Sequence, residues 1–126
     1  MIGKTDAWPT LGVSNMEEAK EFYGEVLGLE LAEGTAESGV FLYKSGDGLI
    51  QVYQTDFAGT NKATAVTWKV DDVNAEVAEL KTHGVTFEHY PDMPGVTLEG
   101  DVHVTEDGIR AAWFADLDGN ILSLVQ

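Results

Sequence analysis

Two stretches of the chain carry apolar residues at helical spacing, and the same punctuation frames each. Ala19, Phe22, Tyr23 and Val26 fall at i, i+3, i+4 and i+7, one stripe to bury, with Glu17, Glu21 and Glu25 on the wet side. Asn15 stands where an N-cap acceptor is needed, Glu18 follows three residues on as a capping-box partner, and Gly28 can take the left-handed conformation that ends a helix. Asp72, the stripe Val73, Val77 and Leu80, and the stop at Gly84 repeat this arrangement. The spacing predicts helices over 15–27 and 72–83.

Elsewhere the pattern alternates with period two. "GVFLYK" and "LIQVYQ" flank Ser45-Gly46-Asp47-Gly48, a hairpin signal. "DVHVT" and "IRAAWFA" flank Glu106-Asp107-Gly108, and "NILSLVQ" follows Asp118-Gly119. Val13-x-Asn15 and Val70-x-Asp72 are 57 residues apart, so each half reads strand, helix, strand, strand, strand. "FAGTNKA", residues 57–63, is the expected linker. "EHYPDMPGVTLEG", residues 88–100, holds two of the three prolines and reads as a long loop of the kind that often binds or covers a ligand.

One such half cannot cover its own sheet. Two can bring their sheets together into a curved, half-open barrel with helices outside and a concave face within, the kind of cleft in which small molecules bind. The expectation is therefore one α+β domain over 1–126, made of two βαβββ modules at about 5–56 and 63–126.

Composition narrows the function. The 22 acidic residues against 7 basic give a net charge of −15, which repels phosphate backbones and anionic lipid surfaces and leaves a cationic ligand or a generic solvated surface. No apolar run is long enough to span a bilayer, no signal-like segment opens the chain and there is no cysteine, so the expected location is the cytoplasm. No nucleophile elbow, phosphate loop, dinucleotide fingerprint or zinc-finger spacing is present.

The stretches "LGVSN", "FYGEVLGLEL", "WKVDDV" and "WFADLDGNILSLV", in this order and over nearly the whole chain, resemble the vicinal oxygen chelate superfamily, the group of glyoxalase I, bleomycin-resistance proteins and extradiol dioxygenases. The resemblance implies paired βαβββ modules and usually a homodimer. It does not fix an activity, since the fold hosts lyases, dioxygenases, epimerases and drug binders. In its metalloenzymes a divalent ion sits in the cleft, held by His, Glu or Gln from the first and last strand of each module. Carried over residue by residue, the first-strand positions are Trp8 and Ala65, five before Val13 and Val70. The last-strand positions are Ser123, four after Gly119, and either Val52 or Gln51 after Gly48. Trp and Ala supply no donor and a neutral hydroxyl is a weak one, so the expectation is a dismantled metal centre and no cofactor.

A ligand-lining set follows. Thr10 and Thr67 share the inward parity of Trp8 and Ala65, Gln51 or Tyr53 joins them according to register, and Trp113 and Ser123 come from the end of the chain. Trp8 either stacks on a flat ligand or fills space. His103 alternates with Val102 and Val104 and faces either the cleft or solvent; His89 lies in the long loop with Tyr90 and Asp92, where it can line the cleft mouth. His83 suits a helix C-terminus, and Asp116 and Asp118 shape a turn. The reading is a small-molecule binder of the bleomycin-resistance type, with a planar, neutral or cationic ligand and neither nucleic acid nor membrane as partner. The alternatives are a metal-dependent glyoxalase-like lyase or isomerase, or a dioxygenase, with displaced ligands, and a degenerate scaffold without a ligand.

Overall fold

A computed structural model describes residues 1–126. After a short 3-10 turn at Ile2–Lys4 come strand β1 (Thr10–Val13), helix α1 (Met16–Ala19), and a π-helical continuation of it (Lys20–Val26). Strands β2 (Glu30–Thr35), β3 (Val40–Ser45) and β4 (Gly48–Gln54) complete the first half. The second half holds β5 (Thr64–Lys69), α2 (Val73–Thr82), β6 (Phe87–Glu88), β7 (Val96–Glu99), β8 (Val102–Thr105), β9 (Arg110–Ala115) and β10 (Ile121–Val125). No helix is long and apolar enough to cross a membrane.

The caps form as the spacing predicts. Asn15 Oδ1 accepts from the Glu18 N–H and Asp72 Oδ1 from the Ala75 N–H, and Gly28 and Gly84 take positive φ beyond the helix ends. Within Lys20–Val26 the ladder slips to i→i+5, with the Leu27 N–H donating to the Phe22 carbonyl, a feature that periodicity does not signal.

Two sheets result, in the orders β1-β4-β3-β2 and β5-β10-β9-β8-β7. In each, the first strand of the half pairs in parallel with its last: Thr10 opposes Gln51, and Thr67 opposes Ser123. The fold is α+β, with paired βαβββ units forming curved sheets.

The expectation of a loop over 88–100 needs correction. Phe87 and Glu88 pair with Phe114 and Trp113, while His103 and Val104 pair with Ala111 and Arg110. Thus β6 and β8 lie end to end along β9 as one interrupted strand, and residues 89–101 are an insertion at the break. The insertion carries its own strand, β7, which hydrogen-bonds β8 on the outer edge.

Alternation along the strands sorts the side chains. Leu11, Val13, Phe41, Tyr43, Ile50 and Val52 of the first sheet point to the helix side, as do Val66, Ala112, Phe114, Leu122 and Leu124 of the second. With Met16, Ala19, Phe22 and Tyr23 from the first helix, Val73 and Val77 from the second, and Phe87 and Val102, they make one continuous core of 19 residues. Both sheets therefore spend their helix-side faces on a shared interior, and their other faces point away from it.

Candidate functional site

The faces turned away from the core carry two corresponding cross-strand rows. In the first sheet Thr10, Gln51 and Leu42 stand side by side on β1, β4 and β3, with Gly12, Tyr53 and Val40 one step along. In the second, Thr67, Ser123 and Trp113 stand side by side on β5, β10 and β9, and Glu88 extends the row. Register decides between the two candidates on β4: Val52 is fully buried in the core, so Gln51 belongs to the outer face.

Ser123 has a structural reason to be small and polar. Its hydroxyl lies 2.7 Å from the Thr67 hydroxyl, and the pair closes a hydrogen bond across two parallel strands beside the Trp113 indole. Trp113 itself donates from Nε1 to the Thr64 hydroxyl at 3.2 Å. Three rings then meet: His103 and Tyr90 each stand edge to face with Trp113, at 5.0 and 5.5 Å between centroids, and Tyr90 and His103 are tilted against each other at 5.6 Å.

His103 is 2% exposed. Its Nε2 accepts from the Tyr90 N–H at 2.9 Å, which ties down the insertion where the strand is broken and fixes the proton of the neutral ring on Nδ1. Nδ1 has no hydrogen-bond partner of good geometry. Burial pushes the imidazole pKa down, the Ala111 backbone pulls the other way, and the charge of His89 adds a smaller downward push. Burial, and then the charge of Glu88, raise that of the Tyr90 phenol.

Trp8, just ahead of β1, is 44% exposed, and its carbonyl accepts from the Thr10 hydroxyl at 3.1 Å. Tyr53, 38% exposed, lines an open hollow of about 850 Å3 together with Val40 and Phe57. His89 is turned elsewhere: its Nε2 lies 2.7 Å from Asp101 Oδ1, and Asp101 Oδ2 accepts from Lys81 Nζ at 2.7 Å. The structure thus brings Thr67, Ser123, Trp113 and His103 together in one sheet, and Thr10, Gln51 and Tyr53 in the other. Four hollows of the chain, at about 450, 610, 850 and 390 Å3, have none of Trp8, Thr10, Gln51, Thr67, His89, His103, Trp113 or Ser123 in their walls.

Leu42 and Glu88 complete the rows and escape sequence reasoning, because only the register sets them opposite Gln51 and Trp113. The four positions singled out by counting along the sequence, Trp8, Gln51, Ala65 and Ser123, carry an indole, an amide, a methyl group and a hydroxyl. No three His, Asp or Glu side chains converge anywhere in a metal-binding group.

A family model described as the Glyoxalase/Bleomycin resistance protein/Dioxygenase superfamily matches residues 7–124. No curated protein matches the chain. Among solved structures, the chain is similar to a glyoxalase family protein from Enterococcus faecalis, at 20% identity and TM-score 0.72, with 100% of both chains covered. It is also similar to a bleomycin-binding protein complexed with bleomycin, at 22% identity and TM-score 0.71, covering 98% of each chain. A third similar structure is a lactoylglutathione lyase from Agrobacterium tumefaciens, at 18% identity and TM-score 0.69, covering 97% of this chain and 92% of the other. At these identities the likeness is one of fold.

Proposed function

Since the chain belongs to the Glyoxalase/Bleomycin resistance protein/Dioxygenase superfamily, we propose that it is a metal-free binder of a planar, neutral or cationic organic molecule, held on the face that carries Trp8, Gln51, Thr67, Trp113 and Ser123. The observation that carries this reading is the donor set. A divalent ion needs carboxylate, imidazole or several carbonyl oxygens, and Trp8, Gln51, Ala65 and Ser123 offer one amide oxygen and one hydroxyl that is already engaged with Thr67. This set does not fit a catalytic ion. It does fit a flat ligand: each well-placed ring contributes about 0.5–2 kcal/mol beyond burial, more to a cation. The net charge of −15 adds a long-range pull on cations. The likeness to a bleomycin-binding protein supports binding without chemistry by fold analogy.

The same reading makes the protein a homodimer. Both rows face away from the core of their own chain, and Trp8, Thr10, Tyr53 and Thr67 are exposed. A second copy would turn these faces into a closed cleft and cover their rings. We take the chain as one domain of two modules, about 5–56 and 63–126, working in the cytoplasm.

The test has two steps. Metal analysis of protein purified without chelators is expected to find no stoichiometric Ni, Zn, Mn, Fe or Co. A thermal-shift screen of planar cations and neutral aromatics then supplies a ligand for titration. Trp113→Ala is expected to weaken it by about tenfold or more, and Glu79→Ala, a solvent-face change, to leave it alone. A stoichiometric ion in the cleft, or equal affinities for the two variants, overturns the reading.

A further inference from the structure

On the other side of the first sheet, away from both rows, the N-terminal helix overhangs a hollow of about 610 Å3. Glu17, Glu18, Glu21 and Glu25 stand in its wall against a single cation, Lys20. Glu17, Glu21 and Glu25 recur every fourth residue, a spacing of about 6 Å along a helix, at which like charges repel. A file of carboxylates alone is no more than a solvated face.

Tyr43 supplies the independent observation. Its side chain also forms part of this wall, although the residue is only 1% exposed. Its Oη has no hydrogen-bond partner. A buried hydroxyl left unpaired is costly, and natural proteins rarely keep one without a use. Burial raises its pKa, so the phenol stays neutral and its lone pairs are available to a donor. The residue beside the hydroxyl is Gly24, in the π-helical segment. A Cβ there would meet both Tyr43 Oη and Cε1 at 3.9 Å, so any side chain at this position would pack over the oxygen. π-Helical turns are themselves frequent at functional positions. Leu29 and Leu31 give the hollow an apolar margin.

We propose that this hollow is a second binding site, for a linear alkyl polyamine, in which one ammonium donates to Tyr43 Oη past Gly24 and the others pair with the glutamate file. Amines separated by a four-carbon link have about the spacing of successive carboxylates on the file. The methylenes lie against Leu29 and Leu31. This inference does not rest on the aromatic face described above.

Calorimetric titration of the full chain with spermidine, at low and at physiological salt, tests it. Saturable single-site binding is expected, and Gly24→Ala and Tyr43→Phe are each expected to weaken it about fivefold or more. Neither change threatens the fold: alanine is the better helix former, and the lost hydroxyl has no partner. Trp8→Ala is expected to leave spermidine affinity unchanged. The double change Glu21→Gln with Glu25→Gln is expected to weaken binding strongly. The same charge change on the second helix, Glu76→Gln with Glu79→Gln, is expected to alter it less than about twofold. Equal losses for the two double variants, or no effect of Gly24→Ala and Tyr43→Phe, mean diffuse counterion attraction only and overturn the proposal, as does an absence of saturable binding.

Discussion

The hydroxyl of Tyr23 donates to Oδ2 of Asp116 across 2.6 Å, joining the helix of the first half to the turn that closes the second. Asp116 is 8% exposed, and its other oxygen accepts the N–H groups of Asp118 and Asn120. Asn120 in turn donates from Nδ2 to Asp116 Oδ2 at 2.7 Å and to the Gly12 carbonyl at 2.8 Å. Asp118 reaches the first half as well, accepting from the Ser14 hydroxyl and N–H. The Asp-x-Asp-Gly-Asn turn is therefore the clasp between the two halves, and burial first, then Asp116, raise the Tyr23 pKa far above its ordinary range.

Tyr23→Phe keeps the ring in the core and removes one bond to a buried carboxylate, so it is expected to cost about 1.5–3 kcal/mol. Asp116→Ala strands several buried donors, each worth about 1–3 kcal/mol, and is expected to cost more. Urea midpoints at unchanged slope measure both. A Tyr23→Phe protein as stable as the parent would show that this bond contributes nothing to holding the two halves together.

Stability is expected to depend on pH through His103. Its folded pKa lies below the 6.5 of a free imidazole, so the unfolded chain takes up the proton first. Stability then rises with pH up to about 6.5 and declines as pH falls below it. Protonation at Nε2 also destroys the acceptor that holds the Tyr90 N–H. Denaturation between pH 7.5 and 5 is expected to show this slope in the parent and a flatter one in His103→Gln. Equal slopes would move the titration to another group.

Much of the framework is legible because local chemistry agrees with the global fold. Asn15 with Glu18, Asp72, Gly28 and Gly84 mark helix ends that the caps and positive φ values bear out. The Ser45–Gly48 hairpin forms where the glycines put it. The π-helical slip has no periodic signal of its own. Strand β7 is hidden because Pro91 and Pro94 precede it and because its alternation, Val96 and Leu98 against Thr97 and Glu99, is short. The rows are only half legible: parity identifies Thr10 and Thr67 and the count from Gly119 gives Ser123, but Gln51 rather than Val52 follows only from which of them enters the core. That the rows turn away from the chain's own interior is a matter of how the sheets pack, which no stretch of residues encodes locally.

The aromatic cluster gives a conservative variant. Trp113→Phe keeps an aromatic ring beside Tyr90 and His103 but loses the donor to the Thr64 hydroxyl. That hydroxyl is exposed, so the stability cost is expected to stay below about 1 kcal/mol by thermal or urea unfolding. A much larger loss would mean that the indole is a core element rather than part of an open face.

The insertion over 89–101 is held by a different device, and its loosening is separable from global unfolding. Asp101 receives Lys81 Nζ from helix α2 on one oxygen and faces His89 Nε2 on the other, both at 2.7 Å. The Lys81 bond first, then the His89 bond, hold its carboxyl below the usual 3.8, so this support is present above that value and is lost as pH falls through the lower folded pKa. The window lies well below that of His103. Lys81 and His89 are about half exposed, so the pair contributes little to global stability, about 1 kcal/mol or less. Locally it matters more, because the rest of the insertion is tied down by the Tyr90 N–H to His103 and by the short ladder of β7 on β8. Asp101→Asn is therefore expected to speed amide exchange over residues 89–101 several-fold at pH 7 while leaving β9, β10 and the global urea midpoint almost unchanged. Exchange that stays slow in the insertion would assign its order to β7 and His103, and exchange that quickens throughout the second sheet would make Asp101 a support of the whole half.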